Sequence, residues 1–535
     1  MSTTDRKQFE MVAKTFQGLE DILAEELRNL GAINVEPGRR MVSFEGDLEM
    51  LYRANMCCRT ALRILKPLCS FEARNPDQLY DRVKEMDWSE LLTVDKTFSI
   101  DSVVYSDEFT HSRYVTYRVK DAIVDQFQDR LGQGKRPGVR LHDADVMLNV
   151  HISGIRVTIS LDSSGESLHK RGYRVAQTDA PLNEVLAAGI ILKSGWRGDC
   201  PLVDPMCGSG TFLIEAALIA ANIMPGIYRR SFAFEQWPDF DRELFESIYH
   251  DDSQERTFSG RIYGGDISPK AIAIAEKNIK SAGVAKYIDL EQKALSQWDE
   301  SPAEGEPGVM ITNPPYGERI AAEDMDGLYR TLGSKLKNVF KGYHAWVLGY
   351  REEYFFKIGL APSLKMPLLN GSLECELREY LIFDGDYNTF RSEGGSLKAH
   401  IADEAAQEDD TEEFTDRKKF KKERKEFRKD GARKEFRKEF RKDGARKEFR
   451  KDGPRKDFRK DFHNDDRKGG FRRFDKRREE EEPENPLAKR RNVHALKGII
   501  NRRPTLGNTT VMRSRRGWKR PDSDSSTPNP ENNND

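Results

Sequence analysis

The sequence predicts an α/β protein: a Rossmann-like domain, preceded by a smaller α+β region and followed by a basic tail that cannot form a core. Three observations carry this. From about Pro181 to Gly385, apolar strands alternate with amphipathic helices, the pattern of a mostly parallel sheet covered on both faces. Ahead of it, shorter strand and helix patterns alternate in two small units. Beyond Gly385, aliphatic periodicity stops and Arg, Lys, Asp, Glu and Phe take over.

The elements follow in order. In residues 1–60, KTFQ reads as a strand, GLEDILAEELRNLGA as a helix with apolar positions at helical spacing, and RRMVSFEGD as a second strand before a further helix. Over 61–165, TFSIDSVV and VMLNVHISGIRVTISLD read as strands, with YRVKDAIVDQFQDRL as the amphipathic helix between them. These two units form an accessory region with no obvious catalytic residue. The Rossmann-like domain is placed at 166–385. There CPLVDPMCGSGTFLIEAALIAANI gives strand, Gly-rich turn and helix, and RIYGGDISPKAIAIAEKNIKSAG repeats the unit. GVMITNPPYG adds a strand and a Pro-rich loop, and strands at 345–350 and 379–384 complete the sheet. In the tail, 386–535, RKDGARKEF occurs at 428–436 and 441–449, and RKDGPRKDF at 450–458. A nine-residue repeat with a lone Phe buries no core, so disorder is expected.

Charge is segregated along the chain. The 89 Lys and Arg nearly balance the 90 Asp and Glu, yet residues 417–520 hold 41 basic against 18 acidic side chains, a net +23 that leaves −24 on the remainder. An acidic body with a basic tail points to a polyanionic partner, nucleic acid or an anionic membrane. Six cysteines, at 57, 58, 69, 200, 207 and 375, form neither CxxC pairs nor an even framework. Disulfide and metal readings are therefore weak, and a reducing cytoplasm is expected. The N-terminus is charged where a signal peptide needs an apolar core, and no run of about 18 apolar residues occurs, so a soluble protein without a membrane span is expected.

Three motifs carry chemistry. Asp204-Pro205-Met206-Cys207-Gly208-Ser209-Gly210-Thr211 lies between an apolar strand and a helix. Its glycines permit a tight turn and close ligand approach, and the helix N-terminus offers N–H donors. Taken alone, it could serve NAD, a flavin, S-adenosylmethionine, or only a turn. Asp266 ends the next strand, where an acid can accept hydrogen bonds from a ribose diol or cap the following helix. It lies 56 positions after Gly210, the excess being an aromatic insertion, GIYRRSFAFEQWPDFDRELF. The most specific motif is Asn313-Pro314-Pro315-Tyr316 after the strand GVMIT. Two prolines stiffen the loop, the Asn313 side-chain oxygen and the Pro314 carbonyl can accept hydrogen bonds, and Tyr316 offers a flat face. Those features suit a planar group bearing an amine, held against a methyl donor over the Gly turn. Cys207 sits inside the turn without a neighbouring His and reads as a packed thiol. His111 and His169 lie among Arg and Tyr residues, where RNA contact and an ordinary loop histidine are both open.

In this order and spacing, DPMCGSGT, GGDISP and NPPYGER resemble the cofactor and target-base motifs of class I S-adenosylmethionine-dependent methyltransferases acting on exocyclic amines. With SLHKRGYR, APLNEVLAAGIILKSGW and the KDAIVDQF helix, residues 8–385 are similar to bacterial THUMP-containing guanine-N2 methyltransferases of large-subunit rRNA. The resemblance implies a ferredoxin-like region at 1–60, an RNA-binding THUMP domain at 61–165, and a class I methyltransferase domain at 166–385. It implies S-adenosylmethionine as cofactor, with Asp204, Cys207, Gly208, Gly210 and Thr211 around its methionine moiety, Asp266 at its ribose, and Asn313, Pro314, Pro315 and Tyr316 at the target base. Where such enzymes often carry an acid near the adenine, this chain has Ala294 and Leu295. Where some relatives continue into a second Rossmann half, this chain continues into the basic repeat, so one methyltransferase activity is expected. The substrate implied is large-subunit rRNA before full assembly. The alternatives are amine methylation of DNA adenine or protein glutamine, and an inactive RNA-binding assembly factor.

Overall fold

The computed structural model describes residues 7–141, 143–303, 307–316 and 324–383. The tail assigned to 386–535, and Gly317, Glu318 and Arg319 of the NPPYGER motif, lie outside the described residues. The front half runs β1 (Phe9–Lys14), α1 (Glu20–Asn29), β2 (Ile33–Gly38), β3 (Met41–Gly46), α2 (Leu48–Cys57), β4 (Arg63–Glu72), α3 (Pro76–Glu85), β5 (Thr97–Tyr105), α4 (Ser112–Leu131), β6 (Gly138–Val139), β7 (Val146–Ser153) and β8 (Arg156–Asp162). These strands form one eight-stranded sheet, ordered β2-β3-β1-β4-β8-β7-β5-β6. β4 joins its two parts: Arg63–Leu65 pair with β1, and Leu65–Glu72 with β8. The first strand is Phe9–Lys14 and not KTFQ. Met11 and Ala13 alternate into the core, and the chain then turns at Gly18, whose φ of 90° only glycine adopts readily.

The rear half runs α5 (Glu184–Lys193), β9 (Leu202–Asp204), α6 (Thr211–Ala220), α7 (Arg242–Tyr249), β10 (Ile262–Asp266), α8 (Pro269–Ala282), β11 (Ile288–Gln292), β12 (Val309–Thr312), α9 (Met325–Asn338), β13 (His344–Gly349), α10 (Glu352–Ile358), β14 (Leu364–Asn370) and β15 (Leu373–Leu381). Its seven strands are ordered β11-β10-β9-β12-β13-β15-β14. The first five are parallel, and β15 and β14 are antiparallel additions, so the sheet is mixed. The strand expected at 379–384 is the end of the longer β15, and β14 has no counterpart among the strands the sequence predicts. β14 contains Pro367, which reads against a strand but is tolerated at a sheet edge.

One apolar core runs from Met11 and Phe44 in the front half to Leu186, Leu213 and Ile262 in the rear. α5 and α6 are buried along nearly their whole length, which explains their almost uninterrupted apolar sequence. Front and rear meet closely: a Cβ on Gly189 of α5 would lie 2.4 Å from Leu19. The aromatic insertion between α6 and β10 makes much of the junction. Phe232, Phe234, Phe240 and Phe245 cluster with Tyr52 of α2, whose hydroxyl accepts from the Asp241 N–H at 2.9 Å.

Candidate active site

The carboxyl ends of β9, β10 and β12 open on one cleft of about 1740 Å³, where an open α/β sheet ordinarily binds its ligand. All ten residues singled out from the sequence except Gly210 line it: Asp204, Cys207, Gly208, Thr211, Asp266, Asn313, Pro314, Pro315 and Tyr316. The cleft also reaches front-half residues, among them Phe16, Asp145 and Met147. It therefore joins the accessory region to the Gly turn.

The turn follows from its residues. Gly208 and Gly210 have φ of 55° and 79°, and the Gly210 N–H closes on the Cys207 carbonyl at 2.9 Å. Gly208 has nothing within 4 Å of where a Cβ would sit, so it presents bare backbone. A Cβ on Gly210 would come within 3.2 Å of Ala275, so this glycine serves the packing of α6 on α8. Gly210 caps α6 without a side chain, leaving the leading N–H groups of the helix without a side-chain acceptor.

Asp204 is buried at the end of β9, where its Oδ1 accepts from the Met206 N–H at 3.2 Å and the Thr312 hydroxyl at 3.0 Å. Burial, with Asp266 nearby, pushes its carboxyl up to about 7. Asp266 is half-buried: Oδ2 accepts from the Gly208 N–H at 2.9 Å and Oδ1 from the Ser268 N–H at 2.8 Å. The cap of α8 is Ser268, which accepts from Ala271, so Asp266 is not the cap. Each Asp266 oxygen keeps a further acceptor site. Burial and the two carboxylates push the Cys207 thiol well up, as suits a packed thiol rather than a nucleophile.

In the Pro-rich loop, the Tyr316 hydroxyl donates to Asn313 Oδ1, and Asn370 Nδ2 stands 3.5 Å from that hydroxyl. The ring centroid lies 6.3 Å from that of Tyr350. One acceptor site of Asn313 is thus taken within the loop and one remains.

Several residues of the site carry no role in the sequence reading. Ile267, directly after Asp266, is 73% exposed on the cleft, an apolar surface beside a carboxylate. Ala294, Leu295 and Ser296 face the cleft where an acid was sought, with the Ala294 N–H donating to Gln297 at 2.7 Å. Arg174 bonds both hydroxyls of the turn, Ser209 and Thr211. Asn278 of α8 accepts from Val175 and Ala176 and donates to the Ser209 carbonyl. Asn278 left a legible trace: it interrupts the apolar stripe Ile274, Ala275, Ile279, Ala282. Among the described residues, no cluster of three or more His, Cys, Asp or Glu is placed to hold a metal, and no helix is long and apolar enough to cross a membrane.

Comparison with known proteins agrees with this geometry. Residues 10–65 match an RlmL ferredoxin-like domain, 73–162 a THUMP domain, and 171–378 an RMKL-like methyltransferase domain. A protein of Synechocystis sp. named "Putative RNA methyltransferase slr0064" is 38% identical over 385 residues, 71% of this chain and 98% of that one. The "Ribosomal RNA large subunit methyltransferase K/L" of Syntrophotalea carbinolica is 40% identical over 375 residues, 68% of this chain and 52% of that protein. The chain thus spans about half the length of the K/L relatives it matches. The "Crystal structure of SMU.472, a putative methyltransferase complexed with SAH" superposes at a TM-score of 0.63 with 32% identity, covering 71% of this chain and all of that one. The ferredoxin-like, THUMP and methyltransferase matches in this order, with 98% of the Synechocystis protein and all of SMU.472 covered above 30% identity, place the chain in the RMKL-like methyltransferase family.

Proposed function

We propose that the chain transfers a methyl group from S-adenosylmethionine to the exocyclic N2 amine of a guanosine in large-subunit rRNA. The observation that carries the reading is the convergence of the Gly turn, Asp266 and the NPPY loop on one cleft that also reaches the front half. The residues present fit the cofactor: bare backbone at Gly208, uncapped N–H groups opening α6, a carboxylate with free acceptor sites at Asp266, and the exposed Ile267 beside it. When bound, the cofactor supplies an electrophilic methyl on a sulfonium, already a good leaving group.

The chain's own work is then binding and orientation. Asp204, Cys207, Gly208, Gly210 and Thr211 would surround the methionine moiety and Asp266 the ribose. At the loop, the remaining Asn313 acceptor and the Pro314 carbonyl orient the amine N–H bonds, which aligns the nitrogen lone pair with its target and stabilises the positive charge that grows there. No strong base is required: as the N–C bond forms the S–C bond breaks to leave a neutral thioether, and the methylated amine then sheds its proton to solvent. A paired guanosine must leave its helix to reach the loop, so the front half is assigned the grip on the surrounding RNA. The substrate is rRNA not yet fully assembled, and the site of action the cytoplasm. Domain limits follow the same reading: 1–60 ferredoxin-like, 61–165 THUMP, 166–385 methyltransferase.

The test is labelled methyl transfer to rRNA from a strain lacking this protein, followed by nucleoside analysis. The expected product is N2-methylguanosine in large-subunit rRNA. Label recovered as methyladenine, or in protein, would refute the guanosine assignment in favour of another amine substrate.

A further inference from the structure

The segment that connects the two halves, Ser163 to Asn183, is fastened to the rear half along its length. Arg229 of the aromatic insertion donates to the carbonyls of Ser164, Glu166, Ser167 and Lys170 at 2.6–3.2 Å. Tyr173 donates to Glu215 of α6 at 2.9 Å. Asn278 binds Val175 and Ala176 on one side and the Ser209 carbonyl on the other, at 3.0–3.1 Å.

Arg174 sits at the middle of this segment. Its Nε donates to Glu184 Oε1 at 2.6 Å, one terminal nitrogen to Ser209 Oγ at 2.9 Å, and the other to the Leu182 carbonyl at 3.1 Å and Thr211 Oγ1 at 3.0 Å. A guanidinium has five N–H donors. Four are used within the protein, so this cation is no clamp for a ligand. Two of the four hold the hydroxyls on either side of Gly210, the residue where the backbone passes through positive φ into α6. A planar fork that reaches four acceptors at once is beyond lysine, with its single ammonium.

We propose that Arg174 is a positioning residue for the cofactor turn, locking Cys207–Thr211 to the segment arriving from the front half so that the S-adenosylmethionine site holds its shape only while that segment is seated. The inference rests on the cofactor reading above. It makes the cofactor site dependent on the segment that opens the methyltransferase domain, ahead of α5 and β9, and not on the turn's own residues alone.

Calorimetric titration of the full chain with S-adenosylmethionine tests it, alongside thermal unfolding and single-turnover methylation at saturating cofactor. Arg174→Met alone would leave Glu184 buried and unpaired. The variants are therefore Arg174→Lys, which keeps the charge, Ser209→Ala, these two combined, and the pair Arg174→Met with Glu184→Gln. Arg174→Lys and the pair are expected to bind cofactor roughly tenfold or more weakly, from the loss of charge-assisted hydrogen bonds. Turnover at saturating cofactor should stay within about twofold of wild type, since nothing at the NPPY loop changes. Ser209→Ala should add little on top of Arg174→Lys, because both break the same contact. If the pair fails to fold, Arg174→Lys and Ser209→Ala carry the test. Folded variants with wild-type affinity would overturn the proposal and leave Arg174 a latch for stability only. A wild-type chain that binds no S-adenosylmethionine would overturn the cofactor reading itself, and this inference with it.

Discussion

Asp204→Asn separates the stability of the cleft around the Gly turn from the ligand binding proposed there. Asp204 is 1% exposed, and burial, joined by the nearby Asp266, moves its carboxyl from an ordinary 3.8 to about 7. A folded value above the unfolded one means that the folded protein holds the extra proton. Stability is therefore untouched below about pH 4, falls as the pH climbs toward 7, and stays lowered above it. The gap between 3.8 and about 7 corresponds to about 4 kcal/mol at full ionisation. Asparagine keeps an Oδ1 able to accept from Met206 and Thr312. Its amide nitrogen replaces the second oxygen, and a buried donor without an acceptor costs about 1–3 kcal/mol. The variant should thus be more stable than wild type by about 1–3 kcal/mol at pH 8 and less stable near pH 4. Urea unfolding of the cofactor-free protein at both values measures the crossing. Stabilities that run parallel from pH 4 to pH 8 would refute the reasoning, since they would mean that Asp204 ionises without strain. The same variant should bind S-adenosylmethionine more weakly despite its added stability at pH 8, the mark of an acid kept for its ligand.

Asp266→Ala should weaken cofactor binding by calorimetry, each lost hydrogen bond to the carboxylate being worth about 1.5–3 kcal/mol; unchanged affinity would reject the ribose role. Asn313→Ala should leave cofactor affinity intact and greatly reduce single-turnover methylation, because it removes an acceptor used only with the target amine in place; normal rates would make the NPPY loop structural. Tyr316→Phe keeps the flat face and removes the hydroxyl that holds Asn313, so a fall in turnover at unchanged RNA affinity is expected, whereas full activity would confine Tyr316 to stacking. Truncation after Thr415 removes residues 416–535, which carry a net +18, and should weaken rRNA binding and flatten its salt dependence, with methylation at saturating RNA preserved; an unchanged salt slope would exclude the tail as an RNA tether.

The parts of this molecule legible in its sequence are those written locally. Glycine pairs, a strand-end acid and two adjacent prolines each interrupt an apolar run, and an interruption at the carboxyl end of a parallel strand falls on the ligand side of the sheet. That is why Asp204, Cys207, Gly208, Gly210, Thr211, Asp266 and Asn313 to Tyr316 stand out and why nine of these ten residues line one cleft. The edge strand β14 hid behind Pro367. Arg174 was in plain view within SLHKRGYR, but nothing near it in the chain says that its partners are Ser209 and Thr211, 35 and 37 residues away.

The aromatic insertion shows the same limit from the other side. By spacing it was only the excess between Gly210 and Asp266, and its Phe residues have no periodicity that suggests a helix or strand. Their partner, Tyr52, lies 189 positions from Asp241, whose N–H meets its hydroxyl. Gly226 in the same insertion lies so close to α2 that a Cβ would come within 2.9 Å of the Met56 backbone. Beside them, Arg229 holds four carbonyls of the segment that leads to Arg174. An insertion that interrupts the spacing between the Gly turn and Asp266 thus helps tie the front half to the Gly turn. Signals of this kind reside in pairs of distant residues, and a single chain read in order contains only one member of each pair at a time.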